Sequence, residues 1–138
     1  MSIALRKHIE KITPLTDAEF DYVISLFTRK KMKKHQFLIQ EDTEVLNDYW
    51  VWSGLLKAYH TDLEGKMHIL QFAMEDWWIS DYQALNNQTP ATIAMDCIED
   101  SELLVLSRDN KEKLCNELHK ISNFFRQKSS AGYVALQQ

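Results

Sequence analysis

The sequence predicts a mainly β domain with helices at both ends, and three features carry that prediction. Apolar residues recur at helical spacing up to Phe27 and again from Ser107, but fall into short runs in between. Ser53-Gly54, Asp62-Leu63-Glu64-Gly65 and Glu99-Asp100-Ser101 interrupt those runs with turn chemistry. At 138 residues, 45% hydrophobic and 26% charged, the chain is long enough for one core and is ordinary for a globular domain. Short strands broken in this way suggest a sandwich or barrel, not a parallel sheet.

The first helix is drawn by Leu5, Ile9 and Ile12, at spacings of four and three, and Pro14 ends it. Thr16-Asp17-Ala18-Glu19 reads as a capping box: hydroxyl and carboxylate each take a backbone N–H left free at the helix start. Phe20, Val23, Ile24 and Phe27 then form the apolar stripe of a second helix. The basic run Arg29 to Lys34 reads as a solvated turn and an edge strand guarded by charge; it lacks the groove-binding helix of a DNA contact. Strands are expected at Phe37 to Ile39, Tyr49 to Trp52 and Leu55 to Tyr59. Trp50 and Trp52 share a face of theirs and read as core or interface. A hairpin turn at Asp62 to Gly65 leads into a strand from Met67 to Ala73. Two more follow, Ala91 to Ile98 and Glu102 to Leu106. Ser107 can cap a helix holding Leu114, Cys115 and Leu118, and Ile121, Phe124, Phe125, Gly132 and Ala135 mark a last helix. The expected organisation is one domain over 1–138: helices through 28, strands over 35–106, helices over 107–138.

Composition excludes several classes. A net charge of −4 gives no general attraction to nucleic acid or anionic membrane. No apolar run approaches the ~20 residues that span a bilayer, and Met1 to His8 lack the core of a secretion signal. Cys97 and Cys115 sit in apolar segments and read as free thiols of a reducing compartment, so a cytoplasmic location is expected. His8, His35, His60, His68 and His119 form no His-x-His or His-x-Glu phrase; they read as surface residues, with no metal or other cofactor. One stretch is unusual. Between Lys66 and Arg108 there is no lysine or arginine, while Glu75, Asp76, Asp81, Asp96, Glu99, Asp100 and Glu102 all fall there.

The order of elements, with Lys33 to Glu41, Val51 to Leu56, Asp62 to Lys66, Glu75 to Asp81 and Gln88 to Thr92, resembles the sensor domain of the Crp/Fnr transcription regulators. The resemblance implies a double-stranded β-helix, the jelly roll that binds cyclic nucleotides, followed by a dimerisation helix. It places a ligand pocket at Trp77, Trp78, Ile79, Ser80, Asp81, Thr89, Pro90, Ala91 and Thr92, with Leu136 and Gln137 reaching it from the closing helix. Trp77, Trp78 and Tyr82 either line that pocket or fill the space a nucleotide would take. Relatives hold the phosphate with a Phe-Gly-Glu phrase and an arginine about ten residues on. Counted without gaps, the glycine falls on Ile79, the glutamate on Ser80 and the arginine on Pro90, or Thr89 with a one-residue shift. Ser80 or Asp81 could partly replace the glutamate, but nothing replaces the arginine. A charge-assisted hydrogen bond contributes roughly 1.5–3 kcal/mol, so cyclic AMP is not expected to bind, and the effector is a small molecule of unknown identity. Ile121, Phe125, Gly132 and Ala135 lie near one stripe, which predicts a weak, concentration-dependent homodimer. The pattern breaks off within a helix, which points to a chain cut at a domain boundary; a natural stand-alone sensor is the alternative. DNA would then be reached only through a helix-turn-helix outside this chain. The alternative reading of the whole is a small cupin-like metal-dependent enzyme.

Overall fold

The computed structural model describes the backbone of residues 1–137 and the side chains through Lys128. It divides into two compact units, a helical one (Met1–Leu26 with the chain from Asp109 onward) and a β unit, Phe27–Arg108.

The helical unit holds α1 (Ser2–Glu10), α2 (Asp17–Ser25), nearly all of α4 (Arg108–Glu117) and α5 (His119–Gln137). The capping box forms as expected: Glu19 N–H donates to Thr16 Oγ1 at 3.1 Å and Thr16 N–H to Glu19 Oε1 at 2.8 Å. Arg6 ties α1 to the start of α2, donating to Asp17 Oδ1 at 2.7 Å and to the Leu15 carbonyl at 2.9 Å. Lys120 reaches Glu19 from α5, and Tyr22 donates to Glu117. Leu5, Ile9, Phe20, Val23, Leu114, Ile121, Phe124 and Phe125 are buried. His8 is buried too, edge-on against Phe124 at 5.7 Å, so it is a core residue and not the surface histidine expected. Leu118 separates α4 from α5.

The β unit is the expected jelly roll. Its strands are β1 (Thr28–Met32), β2 (Phe37–Ile39), β3 (Asn47–Ser53), β4 (Leu56–Thr61), β5 (Met67–Ala73), β6 (Trp78–Ile79), β7 (Ala94–Cys97) and β8 (Ser101–Ser107); α3 (Tyr82–Asn87) lies between β6 and β7. One sheet has the order β1-β8-β3-β6 and the other β2-β7-β4-β5, all antiparallel. The pairs β4·β5, β3·β6, β2·β7 and β1·β8 therefore nest inside one another. Met32, Ile39, Tyr49, Val51, Leu56, Ala58, Ile79, Leu85, Met95, Cys97 and Leu103 belong to the core between the sheets. Trp50 is fully buried and Trp52 half-buried.

Strand structure starts at Thr28, ahead of the expected residue 35, because Thr28 to Met32 pair with Val105 to Ser101. β7 is shorter than expected. Ala91 donates its N–H to the Thr43 carbonyl and accepts from Asp42 N–H instead of a sheet partner. Gly54 turns β3 toward β4 at φ +117°, where a Cβ would lie 2.1 Å from Ser101 Oγ and 2.7 Å from Ser101 Cα. Only glycine fits there.

Candidate functional site

β6, α3 and the loop to β7 form the segment where the pocket was expected. Two residues of β6 suffice to fix its start, since Ile79 pairs with Tyr49 and Trp78 with Trp50. Ile79 is almost fully buried as part of the core. Ser80 follows, its hydroxyl donating to the Asn47 carbonyl at 2.7 Å. Asp81 then caps α3, accepting Ala84 N–H on Oδ1 at 3.1 Å. Its second oxygen accepts Thr92 N–H at 2.9 Å and the Thr92 hydroxyl at 3.3 Å. One buried carboxylate thus closes the segment on itself, joining the helix start to the loop eleven residues later. Gln88 ends α3 in the left-handed region at φ 56°.

The neighbours are engaged as well. Tyr82 donates its hydroxyl to Asp48 Oδ1 at 2.8 Å, and Asp48, itself buried, also accepts Tyr49 N–H. Burial first, and then the charge of Asp48, pushes the Tyr82 hydroxyl well above the usual phenol range. Trp78 is half-buried with Phe27 beside it, ring centroids 6.2 Å apart, while Trp77, Thr89, Pro90 and Thr92 are exposed.

Of the two residues considered for the ribose-binding role, Ser80 donates its hydroxyl to the backbone and Asp81 is the carboxylate of the segment. That moves the gap-free count by one residue, and the arginine position falls on Ala91, which is buried and uncharged. Arg108 donates to the Leu85 carbonyl of α3 at 3.2 Å.

Three other acids of the cation-free stretch draw partners from elsewhere in the chain. Glu102 meets Arg29 at 2.6 Å and Lys31 at 3.9 Å, and Asp100 accepts Lys34 N–H. Asp96 lies 3.8 Å from Lys57 and accepts the Tyr59 hydroxyl at 3.1 Å. None of these pairs involves β6, α3 or the loop, so they add no cation to the expected pocket. A phosphate placed at α3 would meet donors already used by Asp81, and its charge would be repelled by that carboxylate.

His60 and His68 face each other across the β4–β5 hairpin. Each turns to a carboxylate, Glu41 at 3.8 Å and Asp62 at 2.8 Å, and among the described residues no three potential ligands gather for a metal. Leu136 and Gln137, like Gly132 and Ala135, lie outside the described side chains. Ile121 and Phe125 are buried within the helical unit of the single chain, Phe125 under Lys111 at 4.6 Å. Sequence reasoning missed α3 and the closing role of Asp81. The available signal was an aspartate directly before Tyr-Gln-Ala-Leu, a capping residue before a short helix-forming run.

The sequence profile of the cyclic nucleotide-binding domain matches residues 29–117. The anaerobic regulatory protein of Bacillus subtilis (strain 168) is 23% identical over 94 residues, which are 68% of this chain and 40% of that protein. The chain therefore spans about two fifths of the length of this curated relative. A cyclic nucleotide-binding domain from Methylobacillus flagellatus superposes with a TM-score of 0.83 at 14% identity, over 98% of this chain and 79% of that one. The catabolite activator protein of Thermus thermophilus gives 0.77 at 19% identity, over 91% and 59%. The sensor domain of the transcriptional regulator DNR from Pseudomonas aeruginosa gives 0.77 at 14%, over 94% and 86%. At these identities the solved structures establish the fold. No helix of the described residues is long and apolar enough to cross a membrane.

Proposed function

The chain belongs to the cyclic nucleotide-binding domain family, and from that membership we propose that it is the sensor module of a Crp/Fnr-type transcription regulator that does not respond to cyclic nucleotides. The observation that carries this is Asp81. Its carboxylate engages Ala84 N–H, Thr92 N–H and the Thr92 hydroxyl, so the pocket segment holds an anion of its own where a phosphate would need cationic partners. An effector would be a neutral or cationic small molecule, met by the exposed side chains of Trp77, Thr89, Pro90 and Thr92. Its binding would bias the closing helix and, through it, a helix-turn-helix outside this chain that reads DNA in the cytoplasm. Self-association through α5 rests on Gly132 and Ala135, because Ile121 and Phe125 are buried in the helical unit.

Calorimetry with cyclic AMP and cyclic GMP at millimolar concentration tests this reading. No saturable heat is expected for either nucleotide, and a micromolar dissociation constant for either would overturn it.

A further inference from the structure

Four strands stand at the edges of the two sheets: β1, β6, β2 and β5. An uncovered edge presents unpaired N–H and C=O groups to any other strand, and proteins usually guard it with charge or keep it short. β1 carries exposed Arg29, Lys30 and Lys31. β6 has two residues and β2 three. β5 has neither protection, and its one irregularity is a register shift against β4 that leaves Leu70 without a partner there. It runs for seven residues with His68 as its only ionisable group, and that ring turns back to Asp62 in its own hairpin. Met67, Ile69, Leu70 and Phe72 are 44%, 50%, 53% and 45% exposed, and exposed Met74 extends the apolar strip.

The charges at the two ends of β5 indicate what covers it. Exposed Lys66 precedes the strand, and exposed Glu75 and Asp76 follow it. Two copies laid antiparallel about a two-fold axis bring Lys66 of each beside Glu75 and Asp76 of the other. A parallel arrangement would set like charges together. We propose that β5 is a self-association edge, at which two copies of this chain pair β5 to β5 antiparallel. Each copy contributes four strands, in the order β2-β7-β4-β5, so the pair shares one eight-stranded sheet. The apolar β5 side chains then meet across the join, and its free backbone groups find partners. This inference does not depend on the effector reading.

The test is sedimentation of this chain across a hundredfold concentration range in a Gly132→Asp background, which removes any helix pairing. A dimer is expected to persist there. Lys66→Glu, which faces acid with acid twice in the pair, should weaken it about tenfold, and Lys66→Glu with Glu75→Lys should restore most of that loss. Leu70→Lys, at a position exposed in the single chain, should leave only monomer while circular dichroism stays unchanged. Amide exchange along Met67–Ala73 should slow as concentration rises. A Gly132→Asp protein that is monomeric up to millimolar concentration overturns the proposal. So does a dimer indifferent to Lys66→Glu and Leu70→Lys, or one whose β5 amides stay unprotected.

Discussion

Asp81 engages both carboxylate oxygens inside the chain, so its removal should be felt as lost stability before anything else. Alanine there deletes a helix cap, about 1 kcal/mol, and leaves the Thr92 N–H without its acceptor, about 1–3 kcal/mol more. We expect Asp81→Ala to cost about 2–4 kcal/mol in urea unfolding, and Asp81→Asn, which keeps one acceptor oxygen, about half of that. Tyr59 offers a second residue-level test. Its phenol is pushed up to about 12 from an ordinary 10.0, by burial first and then by the charge of Asp96, whose carboxylate also accepts its proton in a hydrogen bond. Between those two values the unfolded chain has released a proton that the folded chain still holds. This contribution is therefore complete below pH ~10 and is lost as pH rises through ~12, at most a few kcal/mol by the linkage of proton binding to folding. Melting temperatures measured from pH 9 upward should fall in this window, and Tyr59→Phe should flatten that part of the decline.

At the scale of elements, two glycines separate space from backbone strain. Gly54→Ala meets Ser101 within 2.7 Å at its Cα and is held at φ +117°, so it should unfold the corner between β3 and β4. Gly65→Ala meets nothing within 4 Å at φ +83° and should cost only about 1 kcal/mol, the left-handed penalty. Chemical denaturation of both variants checks the contrast, and equal costs would show that crowding is not what fixes Gly54. Gly65 was legible in the sequence because Asp62-Leu63-Glu64-Gly65 is local turn chemistry. The hydrogen bonds from Asp62 N–H to the Lys66 carbonyl and from Gly65 N–H to the Asp62 carbonyl bear it out. The capping box at Thr16 and the bounds of β5 were legible for the same reason. β6 and α3 were not, since two and six residues carry too little periodicity, and tertiary partners define them. The tryptophan pair and its acids marked this segment as unusual in the sequence. That Asp81 would face Thr92, or that Arg29 and Lys57 would answer Glu102 and Asp96, depends on atoms far apart in sequence.

For the molecule as a whole, the nested strand pairs fix an order in which the β unit can close. Thr61 meets Met67 across the hairpin, Trp50 meets Trp78, Ile39 meets Met95, and Met32 meets Ser101. Each outer pair closes a longer loop unless the pair inside it has already formed, so the hairpin is the cheapest place to begin. Stopped-flow chevrons should therefore show Gly65→Ala slowing refolding, and Met32→Ala, at the outermost pair, mainly accelerating unfolding. On the ribosome the same nesting becomes a delay. Met32 must wait for Ser101, 69 positions later (101 − 32), before its strand has a partner. At about 5–20 residues per second that is roughly 3–14 s. Arg29, Lys30 and Lys31, which guard a finished edge, also keep an orphan strand from pairing with its neighbours on a crowded polysome while the rest of the chain is being made.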